Sequence, residues 1–314
     1  MEFGLALSGG GAQGAAHAGV LKALIEEGLM PSCVAGTSAG AMVGALFAAG
    51  YDPAQIEEIY TEYAHRVLNY NFRDFFSLLF GLVSKTRVTF DGLIRGARLG
   101  RIYKRLLEEK GVVNIRDVRV PLAVTAVDIN SGRLVLFLSQ MPQAMPGDKT
   151  VYVDDVELWR AVRASTAVPA VFKPEMAAGM RLVDGGVRDN VPAGILRRMG
   201  AEKVLAVNLG YAGQQKKDAD NILEIMFQSI DLMSYQVSET LVRDADYVLE
   251  PGIFDVGLLE VDKIPQTVKR GYEACMLRMP AIRRALQTET DRAPGTVRAV
   301  PFVRPRGASA GGKE

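Results

Sequence analysis

One tight turn, Cys33-Val34-Ala35-Gly36-Thr37-Ser38-Ala39-Gly40, joins a short apolar run to a helical pattern. After this turn, Met42, Val43, Leu46 and Phe47 recur at the spacing of one helix face. The glycines on both sides of Thr37-Ser38-Ala39 suit a sharp change of chain direction, because they carry no Cβ. The segment is therefore predicted to form a strand, a tight turn and a helix.

The same pattern occurs earlier in the chain. An apolar run, Phe3 to Leu7, leads into the glycine loop Ser8-Gly9-Gly10-Gly11, and apolar residues at helical spacing follow up to Gly28. Alternation of strands and helices with short connections predicts a three-layer α/β/α fold with a mostly parallel central sheet. Further strands are predicted at 120–127, 133–138, 180–183, 204–209 and 247–249.

Composition narrows the function classes. The 314 residues carry 37 basic and 36 acidic side chains, so no overall field attracts nucleic acid, and no nucleic-acid partner is predicted. Two cysteines, Cys33 and Cys275, indicate no disulfide framework, and no leader-like basic and apolar segment opens the sequence. We expect a cytoplasmic protein, with any contact to a membrane surface local and apolar. The uncharged run Val34 to Gly50 is 17 residues long and is interpreted as a buried helix.

The motif Gly36-x-Ser38-x-Gly40 is the leading candidate for chemistry. Between a strand and a helix it is typical of a nucleophile elbow, which holds a serine at an exposed turn. The following helix would direct its amides, that of Ala39 first, at a developing oxyanion. The alternative is a tight connection in which Ser38 merely caps the helix.

The glycine loop permits two interpretations. Gly9-Gly10-Gly11-Ala12-Gln13-Gly14 matches G-x-G-x-x-G, which fits either a dinucleotide-binding turn or a donor loop for an oxyanion hole. A dinucleotide site would need an acidic residue at the end of the second strand, where Gly36-Thr37-Ser38 stands instead. We therefore assign Gly10 or Gly11, with Ala39, as oxyanion donors, and predict no cofactor or metal site.

A serine nucleophile needs a base. The chain has two histidines, and both His17 and His65 fall within helical patterns, where neither would reach the elbow. Asp184, which ends an apolar strand before Gly185-Gly186, is the best-placed carboxylate. The alternative is a hairpin turn, which Asp-Gly also favours. As a base, Asp184 would need a site that raises its pKa or holds the Ser38 proton in good geometry.

Four sequence blocks occur in order: Gly9-Gly10-Gly11-x-x-Gly14, Gly36 to Gly40, Ala164 to Pro169 with Phe172 and Pro174, and Asp184-Gly185-Gly186-Val187 with Asn190 and Pro192. Together they resemble the patatin-like phospholipase family, in its bacterial cytoplasmic-type form. The resemblance implies a fold shared with acyl carrier protein transacylases, a Ser38–Asp184 dyad without histidine, and an oxyanion hole from Gly9, Gly10, Gly11 and Ala39.

The resemblance also implies an activity. We expect a serine acyl hydrolase that cleaves fatty-acyl esters of lipids or phospholipids through an acyl-enzyme, with a lipid or acyl ester as its partner molecule. The alternatives are an acyltransferase with the same dyad and a non-catalytic lipid-binding or regulatory module. The family usually has Arg or Lys where this chain has Gln13, which leaves the head-group preference open.

The chain is expected to form one domain over residues 1–291, followed by a flexible tail over 292–314, where the composition shifts to Pro, Gly, Arg, Ser and Ala. Residues 52–110 form a helical, lid-like insertion in this interpretation. Within it, Phe72 to Val83 is rich in large apolar side chains, which fit a lid, a membrane contact or a helix packed on the core. The oligomeric state is left open.

Overall fold

The computed structural model describes residues 2–68, 96–142, 149–169, 171–210, 222–257 and 260–287. Phe72 to Val83 and the predicted tail lie outside these ranges, so both expectations remain predictions. Among the described helices, none is both long and apolar enough to cross a membrane.

A mixed sheet forms the middle layer of the described structure. Its order is β5-β4-β3-β2-β1-β8-β9, with β7 beside β3 and β6 beside β7. Five of its eight described pairings are parallel, as predicted for this fold class. The strands are β1 (Phe3–Leu7), β2 (Cys33–Gly36), β3 (Leu122–Asp128), β4 (Leu134–Leu138), β5 (Thr150–Val153), β6 (Glu175–Ala177), β7 (Met180–Asp184), β8 (Lys203–Val207) and β9 (Tyr247–Leu249).

Seven of these strands match the sequence prediction to within about two residues at each end. The prediction missed β5 and β6. Both are short, and β5 is only partly buried along its length, so neither carries the apolar run by which the buried strands were found.

Helices cover both faces of the sheet, as alternate side chains of its strands show. Leu5 and Leu7 of β1 point into one apolar core, and Ala6 between them points into the other. The helices are α1 (Ala16–Glu26), α2 (Ala39–Ala49), α3 (Pro53–Leu68), α4 (Ala97–Glu109), α5 (Leu158–Ser165), α6 (Ala193–Arg198), α7 (Ile222–Leu241) and α8 (Ile264–Gln287).

The described parts of the predicted insertion, α3 and α4, belong to the larger core. Ile56 of α3 and Leu107 of α4 are buried in the same cluster as Leu5 and Leu7. The remainder of the predicted insertion, residues 69–95, lies outside the described ranges.

Two reciprocal glycines bring α1 and α8 into backbone contact. A Cβ on Gly19 would collide with the Val268 carbonyl, and one on Gly271 with the Ala16 carbonyl. Both helices can approach this closely because neither places a side chain between them.

Strand β3 brings two distant parts of the sequence together. Gly36, at the end of β2, pairs with Val124, and Asp184, at the end of β7, pairs with Ala126. Only Thr125 separates these two positions along β3. The turn after β2 and the carboxylate after β7 therefore meet at one place on the sheet.

Candidate active site

Ser38 lies at a strained turn between β2 and α2. Its backbone has φ 52° and ψ −116°, outside the regions that non-glycine residues favour, and it is 8% exposed. Holding a residue in such a conformation costs about 1–3 kcal/mol, and such strain is common at functional sites. This is the geometry expected of a nucleophile elbow.

The flanking glycines make this turn sterically feasible. A Cβ on Gly36 would collide with the carbonyl of Gly40, and a Cβ on Gly40 with the carbonyl of Leu7. The turn thus packs backbone against backbone on both sides of Ser38, which excludes any larger residue at these positions.

Polar contacts from other elements hold the turn in place. The Ser38 amide donates to Ser165 Oγ at 2.8 Å, at the end of α5. The Thr37 hydroxyl donates to the Asp189 carbonyl at 2.8 Å, so Thr125 Oγ1, 2.7 Å away, must donate to Thr37. All these groups are buried.

The Asp184 carboxylate is buried beside Ser38. Its Oδ1 accepts the Gly186 amide at 2.8 Å, while Oδ2 completes no hydrogen bond with the described residues. Burial raises the pKa of Asp184 to about 6, against the lowering effects of the nearby Ser38 hydroxyl and the Gly186 amide. A buried carboxylate with one unpartnered oxygen and a raised pKa has the properties of a general base.

The glycine loop lies next to Ser38, but the prediction for Gly9 needs a correction. Its amide donates to Asn190, to the backbone carbonyl at 3.3 Å and to Oδ1 at 3.1 Å. Since the proton of this amide points at Asn190, it is not available to an oxyanion. Gly9 anchors the loop instead.

Three other predicted donors have amides without such a contact. In the described part of the chain, the Gly10 and Gly11 amides bind no acceptor, and Gly11 adopts φ 56°. The Ala39 amide belongs to the first residue of α2, where helical amides lack an internal partner. Gly10, Gly11 and Ala39 therefore remain the candidate donors.

His17 makes no described hydrogen bond to Ser38. It is fully buried, and its Nε2 lies 2.8 Å from the Ser8 carbonyl, so Nε2 carries the proton. Burial lowers the pKa of His17 to about 4, despite this hydrogen bond. His17 lies within α1, as the helical pattern predicts, and its side chain is packed in the core.

Two cavities meet at Ser38, and both contact Gly11 and Val168. We call the first the polar cleft; its hydrogen-bonding residues apart from Ser38 are Gln13, Asp184, Asn190, Ser234 and Tyr235. We call the second the apolar groove; its walls come mainly from α2, α3, α4 and the segment after α5, through Met42, Ile59, Tyr60, Leu99, Ile102, Tyr103, Val171, Phe172 and Ile264. Ser38 is thus reached from two chemically different sides.

Gln13 ties the glycine loop to a distant segment. Its Nε2 donates to the Val256 carbonyl at 2.7 Å, and its side chain also borders the polar cleft. A neutral amide therefore supports the loop at the position where the family usually has a cation.

Several contributors to this site were not identified from sequence. Ser165 lies within the third sequence block, which gives it no role of its own. Thr125 carries the one hydroxyl of β3, between apolar residues on both sides, a pattern that could have indicated a buried hydrogen bond. Ser234 and Tyr235 lie on α7, where sequence offered no motif. Within the described ranges, no group of three or more His, Cys, Asp or Glu side chains is arranged to hold a metal.

Comparison with known proteins identifies the family to which this chain belongs. A family model described as patatin-like phospholipase matches residues 5–197, more than half of the chain. Patatin-like phospholipase domain-containing protein 6 of Mus musculus is 32% identical over 208 residues, which are 66% of this chain and 13% of that protein. Lysophospholipase NTE1 of Mycosarcoma maydis is 31% identical over 210 residues, 67% of this chain and 10% of that protein.

A bacterial relative is more similar in length. An uncharacterized NTE family protein of Mycobacterium bovis is 31% identical over 217 residues, 69% of this chain and 51% of that protein. The chain thus spans about half of this relative and far less of the other two. Among solved structures, VipD from Legionella pneumophila has a TM-score of 0.47 at 17% identity, covering 89% of this chain and 67% of that one. The type III effector protein ExoU has a TM-score of 0.41 at 16% identity, covering 91% and 54%.

Proposed function

Because this chain belongs to the patatin-like phospholipase family, we propose that it is a serine acyl hydrolase that cleaves fatty-acyl esters of lipids. One observation carries the proposal. Ser38, at a strained turn where the polar cleft meets the apolar groove, lies beside Asp184, whose Oδ2 completes no hydrogen bond with the described residues.

The first half of the reaction acylates Ser38. Asp184 Oδ2 accepts the Ser38 hydroxyl proton as Oγ attacks the ester carbonyl carbon, and the amides of Gly10, Gly11 and Ala39 stabilise the resulting oxyanion. The intermediate then expels the alcohol, which takes the proton back from Asp184. The acyl group remains esterified to Ser38.

The second half uses the same groups with water. Asp184 accepts a proton from water, which attacks the acyl carbon, and Ser38 Oγ leaves with that proton as the fatty acid is released. In this mechanism Asp184 must be ionised at the start of each half.

The linings of the two cavities support different sites for the acyl part and the alcohol part of the substrate. The apolar groove offers mainly hydrocarbon side chains, such as Ile59, Leu99 and Ile102, which match a fatty-acyl chain. The polar cleft offers amide and hydroxyl groups to the alcohol portion. With the ester carbon at Ser38, an acyl ester fills both.

The test is replacement of the nucleophile. Ser38→Ala should lower hydrolysis of p-nitrophenyl and acylglycerol esters by about 10³-fold or more and abolish labelling by a fluorophosphonate probe. The matched control is Ser229→Ala, which removes an exposed hydroxyl that donates to the Ile225 carbonyl. Retained turnover in Ser38→Ala would rule the mechanism out. A Ser38 that never reacts with the probe would instead favour the non-catalytic alternative.

A further inference from the structure

We propose that α7, which lies beyond the family match, positions both halves of the active site through Ser234 and Ser238. The inference rests on the proposed function, since it assigns positioning residues to the Ser38–Asp184 site. It is carried by a continuous chain of hydrogen bonds that runs from the glycine loop through α7 to the Asp184 turn.

The first part of the chain starts at the glycine loop. Asn190 Oδ1 accepts the Gly9 amide at 3.1 Å, and this fixes the orientation of the Asn190 side chain. Its Nδ2 therefore faces the other way and donates to Ser238 Oγ at 3.4 Å. Ser238 is fully buried, so water does not replace this contact.

The second part runs along α7 to the Asp184 turn. Ser238 Oγ donates to the Ser234 carbonyl at 2.7 Å, one helical turn earlier, and Ser234 Oγ donates to the Gly186 carbonyl at 3.3 Å. The Gly186 amide in turn donates to Asp184 Oδ1 at 2.8 Å. Every hydroxyl in the chain donates once, so the directions are mutually consistent.

The two ends of this chain serve different parts of the chemistry. At one end Asn190 holds Gly9, which immediately precedes the candidate oxyanion donors Gly10 and Gly11. At the other end Ser234 holds Gly186, whose amide lowers the pKa of Asp184. Loss of either contact leaves Ser38 and Asp184 in place but disturbs a different step.

Another serine of α7 provides a control for the substitution of Ser238. Ser229 and Ser238 lie on the same helix, and each donates to the carbonyl four residues earlier at 2.7 Å. Ser238 differs in accepting from Asn190 and in being fully buried, whereas Ser229 is exposed. Comparison of Ser238→Ala with Ser229→Ala therefore controls for the loss of a serine that donates to its own helix.

The first experiment measures kcat and KM on a short-chain p-nitrophenyl ester. We expect Ser238→Ala to lower kcat about fivefold with little change in KM, Asn190→Ala to lower it about tenfold, and Ser229→Ala to leave it unchanged. The kcat of the double variant Asn190→Ala, Ser238→Ala should be within about twofold of the kcat of Asn190→Ala alone, because the two side chains act through one contact. Fully additive losses would overturn the link.

The second experiment distinguishes the role of Ser234 from that of Ser238 by the pH dependence of kcat/KM. Ser234→Ala should move the acidic limb of the kcat/KM profile to higher pH, because Gly186 then stabilises the ionised Asp184 less well. Ser238→Ala should lower the rate without moving that limb. An unmoved limb in Ser234→Ala would overturn its assigned role.

Amide hydrogen exchange tests this proposal without depending on catalytic turnover, so its failure can be told apart from failure of the proposed function. Amide exchange of Gly9 should accelerate in Asn190→Ala and Ser238→Ala, and not in Ser229→Ala. If no ester is hydrolysed by the wild type, the proposed function fails, while faster Gly9 exchange would still support the positioning role. Unchanged exchange in both variants would contradict it.

Discussion

The backbone amide of Ser38 donates a hydrogen bond to the side-chain oxygen of Ser165, which lies 2.8 Å away. This contact links the third sequence block, at the end of α5, to the nucleophile elbow. The strained backbone of Ser38 is thus held from outside its own turn.

Replacement of Ser165 by Ala should therefore affect both stability and activity. The substitution leaves the buried Ser38 amide without an acceptor, which we expect to cost about 1–3 kcal/mol in the free energy of unfolding. Urea denaturation measures the change in the free energy of unfolding. We also expect kcat to fall, because the elbow relaxes when Ser38 loses this contact. A variant with wild-type stability and kcat would show that the contact has no structural effect.

The pH dependence of activity should report Asp184. Since the base must be ionised and its pKa is raised to about 6, kcat/KM should fall about tenfold per pH unit below that value and reach a plateau above it. The measurement is a pH profile on a neutral ester. His17→Gln is the control, and the same limb should remain; its loss would transfer the base role to the histidine.

Asp184→Asn should separate stability from function. Folding raises this pKa from 3.8 to about 6, so the folded state disfavours the carboxylate, and above pH 6 its ionisation costs about 3 kcal/mol. The variant should therefore lose most activity yet unfold at a higher temperature than wild type at pH 8. The difference in Tm should shrink between pH 6 and pH 4 and vanish below, where both side chains are neutral. Equal Tm values at pH 8 would contradict the raised pKa.

The apolar groove should set chain-length preference. Ile102 is partly exposed on the groove wall, and Ile102→Trp would fill space that a long acyl chain needs. We expect kcat/KM for p-nitrophenyl palmitate to drop about tenfold and that for the butyrate ester to stay within about twofold, since a lost buried methylene segment is worth 1–3 kcal/mol. Leu277→Trp, at a position 76% exposed on α8, is the control. Equal losses on both esters would mean that the groove does not hold the chain.

Much of the fold could be predicted because buried parallel strands carry unbroken apolar runs. β1 and β8 were found in this way, and the turns that follow β1 and β2 were recognised by their glycines. β5 and β6 could not be found in this way, because short, partly exposed strands are defined by their neighbours in the sheet.

The candidate site was predictable where chemistry demands a residue type. Ser38 and Asp184 followed from the need for a nucleophile and a base, and the structure brings them together through β3. The role of Gly9 was not predictable, because the direction of one amide depends on Asn190, 181 residues away. The hydroxyls of Ser165 and Ser238 act through single long-range contacts of the same kind, and no local pattern encodes these.

The paired glycines of α1 and α8 limit how this protein can be divided. The family match ends at residue 197, yet α8, from residue 264 onward, covers the helix that follows the glycine loop, and it does so through bare backbone at Gly19 and Gly271. A fragment that ends at residue 197 would expose the buried face of α1 to water, and exposed apolar surface of this kind promotes aggregation. The smallest part of this protein that could be fused to another protein as a folded unit is thus larger than the segment that matches the family model.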